Sequence, residues 1–183
     1  PALTSRGFGA VIDIASPGAL AFTLAQATAG NLPIATTGNL AFVNNPATGT
    51  PGSATATGIV ALSSGGGNLS LGPVSGNGIS LLAPAGLITP NGAIASNDFL
   101  TIQTAGTFNS TLPTSAAGNL SIDAAQGINL ATATSGGTTR LVSSAGPVAV
   151  TTNLTSAGPV TAQGTSVNLV STGPLSFTSA SAT

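Results

Sequence analysis

Short segments with one apolar side recur along almost the whole chain, and they recur at a fixed interval. Leu40-Ala41-Phe42, Leu69-Ser70-Leu71, Leu100-Thr101-Ile102, Leu120-Ser121-Ile122, Ile128-Asn129-Leu130, Val148-Ala149-Val150, Val167-Asn168-Leu169 and Leu175-Ser176-Phe177 all alternate apolar with small or polar residues. Successive side chains of a strand point to opposite faces, so each unit predicts a short strand with one buried side. No window carries an apolar stripe at helical spacing, and Gly and Pro recur too often for helices of ordinary length.

The strands fall into two tracks. Leu20, Leu40, Ile59, Ile79, Leu100, Leu120, Leu141 and Val160 follow one another at a near-constant interval. Ile12, Leu32, Leu69, Ile88, Phe108, Ile128, Val148 and Val167 do the same, except that the step from Leu32 to Leu69 is close to two periods. A constant period of about 20 residues is the signature of a repeat architecture. The irregular stretch 44–57 has no strand pattern and reads as a loop or a degraded strand. The physical solution is one coil of a solenoid per period, with equivalent strands stacked in parallel about 4.8 Å apart. The expectation is therefore an all-β parallel β-helix of about 20 residues per coil and about nine coils, roughly 40 Å long. It forms a single unit over 1–183, a mature fragment or fibre subunit, and a third face comes from segments such as Ser63-Ser64 or Ala83-Pro84.

The corners fit this scheme. Gly38-Asn39-Leu40, Gly67-Asn68-Leu69 and Gly118-Asn119-Leu120 place Gly and Asn before a strand, where residues tolerant of positive φ suit a tight turn. Ala145-Gly146-Pro147-Val148 and Ala157-Gly158-Pro159-Val160 place Pro at a strand entry, where a missing N–H costs least. Corner Asn, Ser and Thr side chains are expected to hydrogen-bond along the stack, as amide ladders do.

Composition narrows both core and function. Only 3% of residues are charged, against about 25% in an ordinary domain, yet 42% are apolar. Six Phe are the only aromatic residues, so the core is thin and long. With no His, Cys, Lys, Glu or Tyr, most acid–base chemistry is excluded, as are a Ser-His-Asp triad, a phosphate-binding Lys loop, and a metal site built on His or Cys. No catalytic, cofactor-binding or metal-ligating residue is assigned, and no cofactor. A net charge of −1 offers no handle for nucleic acid or anionic membranes, and no apolar run is long enough to span a membrane as a helix. So weakly charged a surface is poorly protected against association.

Gly118-Asn119-Leu120-Ser121-Ile122-Asp123-Ala124 and Gly127-Ile128-Asn129-Leu130-Ala131 resemble the repeats of filamentous-haemagglutinin-type adhesins, the large exoproteins of bacterial two-partner secretion. So do the units Ala145 to Thr152 and Ser166 to Ser171. The resemblance extends as a pattern from Leu20 to Phe177. It implies a right-handed parallel β-helix, export to the cell surface, and a non-enzymatic role as stalk, adhesin, biofilm matrix or fibre. Such repeats usually carry more outward charge. Its scarcity here favours self-association, head-to-tail or side by side.

Several motifs compete with that reading. Asp98 and Asp123, slightly more than one period apart, would be near neighbours on successive coils if they served a polysaccharide-degrading enzyme. The bland reading makes Asp98 a turn residue and Asp123 an outward strand residue. The sequons at Asn68, Asn109, Asn119 and Asn153 follow automatically from the Gly-Asn-Leu-Ser repeat. Thr55-Ala56-Thr57 and Thr132-Ala133-Thr134 have the form of ice-binding units, which need repetition in every coil. A host receptor or glycan bound through 44–57 is the alternative to a self-associating fibre, although that loop lacks the aromatic rings that usually line sugar sites.

Overall fold

A computed structural model of the chain describes residues 3–7, 13–44, 49 and 51–182. Within them every regular element is a β-strand, and every strand pair is parallel. The fold is a β-solenoid of about eight turns whose strands form three ladders. The first ladder is a sheet of nine strands: Ile14–Ser16, Leu32–Thr36, Ile59–Ser64, Gly78–Ala83, Leu100–Thr104, Leu120–Ala124, Thr139–Ser143, Val160–Gly164 and Phe177–Ala182. The second includes Leu40–Phe42, Leu69–Leu71, Ile88–Pro90, Thr107–Ser110 and Val167–Leu169, and the third Ser53–Ala56, Val74–Gly76, Ile94–Ser96 and Thr114–Ala116. Three long strands, Leu20–Ala27, Gly127–Ser135 and Val148–Ser156, run from the second ladder into the third, so these two form one 13-stranded sheet.

Three details correct the sequence-based tracks. Leu20 and Leu40 stack on Leu69 in the second ladder, while Leu32 stacks on Val60 in the first. The two tracks therefore exchange members at the irregular stretch. The cause is an insertion: residues 43–52 link the second and third ladders there, where 72–73 suffice one coil later. The coil from Leu40 to Leu69 is thus longer than those that follow it, and the double step from Leu32 to Leu69 joins positions that never stack. Ile59 is also displaced: it is 38% exposed, and its neighbour Val60 fills the inward position. Ile12, together with Asn45 to Thr48 and Thr50, lies outside the described residues.

The third face is built from residues that the apolar pattern does not mark. Its inward positions are mostly small or hydroxylic, Ala25 and Ala27, Ala54, Gly76, Ser96, Thr114 and Ala116, Ala133 and Ser135, with the aliphatic Val74, Ile94 and Leu154 interspersed. Ser63-Ser64 and Ala83-Pro84, expected to supply it, instead close strands of the first ladder.

The interior is a column of aliphatic side chains capped at its edges by hydroxyls. Leu100, Ile102, Phe108, Leu120, Ile122, Ile128 and Leu130 are fully or almost fully buried. The buried polar residues are all Ser or Thr, among them Thr36, Ser64, Ser96, Thr104, Ser135 and Ser143. These six end strands, where the chain turns and its carbonyls would otherwise face the core unpaired. The Ser64 hydroxyl donates to the Gly38 carbonyl at 2.6 Å, Thr104 to Gly86 at 2.9 Å, and Ser135 to Gly118 at 2.9 Å and Thr138 at 3.0 Å.

Corner Asn residues bridge coils, as expected. The Asn39 side-chain oxygen accepts from the Asn68 N–H (2.8 Å), that of Asn68 from Leu87 (2.9 Å), and that of Asn119 from both the N–H and the hydroxyl of Thr138 (2.9 and 3.0 Å). Pro147 and Pro159 enter their strands as expected, and their carbonyls accept from Ile128 and Thr139 of the coil before. Corner glycine has a different reason from the one expected. Among the described residues only Gly49 and Gly127 have positive φ. At Gly146, a Cβ would sit 1.8 Å from the Gln126 carbonyl oxygen of the adjacent coil. Close axial stacking, not left-handed backbone, excludes a side chain there.

Candidate functional site

The side chains that could meet a ligand are those the solenoid turns outward. On the first ladder they form two axial columns. One runs Pro33, Ala61, Ser80, Thr101, Ser121, Arg140, Thr161, and the other Ala35, Ser63, Leu82, Gln103, Asp123, Val142, Gln163. Inward positions barely change along this ladder, but the outward ones change character midway. Before Leu100 they are Pro, Ala, Ser and Leu. After it they include Gln103, Asp123, Arg140 and Gln163.

That concentration stands out against the composition. The chain has six Gln and Arg residues and no Lys or Glu. Three of the six lie on four consecutive strands of one face, beside one of the three Asp. Arg140 donates through Nη1 to the Asp123 carboxylate diagonally across the strand pair, and the two side chains are 46% and 43% exposed. Beside them lies an open cleft of about 320 Å³, bounded by Pro84, Gln103, Thr104, Ala105, Asp123, Ala124, Ala125 and Ser144. Its walls come from four successive coils, so it follows the solenoid axis around the corner that ends the first ladder. The opposite half of this face has a smaller apolar depression of about 240 Å³, lined in part by Pro33, Ala35, Ala61 and Leu82.

The structure separates the two carboxylates that an enzymatic reading needs. Asp98 lies in the turn before Leu100, and Asp123 stacks on Gln103 one coil later. Five strand positions put them on the order of 15 Å apart, beyond the roughly 5–9.5 Å of two-carboxylate glycoside hydrolysis. Asp98 meets the corner of the next coil, where its carbonyl accepts from the Gly118 N–H at 2.8 Å. Among the described residues no three carboxylate, His or Cys side chains cluster.

The other motifs serve the stack. Asn68, Asn119 and Asn153 use their side-chain oxygens to bridge to the next coil, and Asn109 accepts from the Asn129 amide at 3.2 Å. Thr132 and Thr134 both point outward on the third ladder, but the column of Thr134 reads Thr55, Ser75, Ala95, Ser115, Thr134, Thr155. Thr57 lies beyond its strand, so no Thr pair repeats in register. The polar patch itself escaped the sequence reading, since its members are scattered along the chain from Gln103 to Gln163. The only signal was the outward slot in Leu100-Thr101-Ile102-Gln103 and its equivalents.

Chemically, the patch offers donors and acceptors side by side with its one ion pair internally neutralised. It suits hydrogen bonding to an uncharged polar surface. There is no helix among the described residues, hence none long and apolar enough to cross a membrane. No protein-family model matches the chain, and neither does any curated protein or any solved structure.

Proposed function

We propose that the chain is a structural rod of an extracellular bacterial surface, a non-catalytic element of a fibre, stalk or matrix that works by associating with copies of itself. The observation that supports this reading is the nature of its lateral surface. Eight turns of stacked strands carry a single ion pair among the described residues, and one half of the first ladder presents Ala15, Pro33, Ala35, Ile59, Ala61, Ser63, Ser80 and Leu82, none of them charged. Charge is what keeps flat β-surfaces apart, and little opposes side-by-side packing here. A solenoid suits a mechanical role because each coil is held by hydrogen bonds to both neighbours. Resemblance to two-partner-secretion repeats points the same way.

The test is a concentration series by analytical sedimentation and electron microscopy. The wild-type chain is expected to form bundles or filaments. The triple variant Ala35→Lys, Ser63→Lys, Leu82→Lys, which puts three charges in one outward column, is expected to remain monomeric with unchanged β-sheet circular dichroism. A wild-type chain that stays monodisperse at high concentration would sink the proposal.

A further inference from the structure

We infer that the polar half of the first ladder is a binding site for a neutral glycan, with Gln103, Asp123, Arg140 and Gln163 supplying the hydrogen bonds. The inference goes beyond the self-associating rod and stands whether or not rods associate.

Three observations carry it. The first is placement. The outward positions of this fold are free of packing demands, and most hold Ala, Ser, Thr or Asn, yet three of the six Gln and Arg residues lie on one face of four successive coils. The second is a cavity bordered by two of these residues, Gln103 and Asp123, with Arg140 and Gln163 on the strand face outside its lining. The cleft edged by Gln103, Asp123 and Ser144 measures about 320 Å³, at the small end of ligand sites, and its axial course suits a linear chain with a sugar ring or two engaged. The third is charge. Arg140 and Asp123 neutralise one another, so the patch has no net attraction for an anion or a cation.

What remains is a mixed set of donors and acceptors: two carboxamides, a guanidinium, a carboxylate and a hydroxyl. Vicinal sugar hydroxyls, each both donor and acceptor, complement such a set. A peptide side chain would require an apolar pocket, and an acidic polymer would require unpaired cations. No aromatic ring lies in the cleft. Affinity therefore rests on hydrogen bonds exchanged with water, each of small net effect, and the expected Kd is about 1 mM per site. Weak sites repeated along a bundle bind by multivalency.

The experiment is saturation-transfer NMR of the full chain titrated with neutral oligosaccharides of glucose, mannose and galactose, and with trigalacturonate. At least one neutral sugar is expected to bind. The double variant Gln103→Ala, Gln163→Ala is expected to weaken it at least tenfold with the fold intact by circular dichroism, while Asn129→Ala on the second ladder leaves it unchanged. Arg140→Ala frees the Asp123 carboxylate and is expected to weaken binding without unfolding the chain. Absence of binding by every neutral sugar, binding undiminished in the double variant, or tighter binding of trigalacturonate would each overturn the inference.

Discussion

The two halves of the first ladder share an interior and differ outside. Leu81 before the midpoint and Ile102 after it occupy equivalent inward positions, and both are almost wholly buried. Their outward neighbours Leu82 and Gln103 stack on one another with opposite character. The fold thus constrains one side of each strand and leaves the other open to variation. On this protein the open side is divided into an apolar half and a polar half.

Substitutions sharpen the contrast. The largest effect belongs inside. Leu81→Ala and Ile102→Ala are each expected to cost about 2–5 kcal/mol, by similar amounts, as read from urea unfolding. Gln103→Ala should cost no more than about 0.5 kcal/mol. If it matches Ile102→Ala, the division into constrained and free sides fails. Corner bridges come next. Asn119→Ala leaves the Thr138 N–H without its protein partner and is expected to cost about 1 kcal/mol, with amide exchange accelerated at Thr138 and unchanged at Ile102. Arg140→Ala removes an exposed pair and should shift stability by less than about 1 kcal/mol, a difference that shrinks at high salt. Smallest of all is Leu82→Lys, within about 0.5 kcal/mol. Its consequence is expected in association, where light scattering should fall, while Gln103→Lys leaves scattering unchanged.

Much of the fold was legible because parallel stacking writes itself into sequence. Units such as Leu120-Ser121-Ile122 announce both strand and inward face. The constant spacing then announces the coil, since equivalent strands must meet one turn later. The third ladder was not legible, because Ala25, Ala54, Gly76 and Thr114 interrupt Val74, Ile94 and Leu154 and leave no regular hydrophobic alternation. The four interrupting positions are narrow, and small residues or hydroxyls fill them. The exchange of tracks at 43–52 was hidden for a related reason. Leu32, Leu40 and Val60 are interchangeable as apolar residues, and only hydrogen-bonded register says which stack. The candidate site was least legible of all, because its residues are neighbours across coils and never along the chain.

By itself the sequence determined an all-β solenoid with a near-constant coil length, a thin aliphatic interior, and a surface almost without charge. These follow from local periodicity and composition, and each residue contributes to them independently. Tertiary structure alone decided which strands share a ladder, why Gly146 must lack a side chain, that Asp98 and Asp123 stand apart, and that Gln103, Asp123, Arg140 and Gln163 stand together. Those outcomes depend on how one coil is registered upon the next. Register is a property of pairs of distant residues, which no local pattern contains.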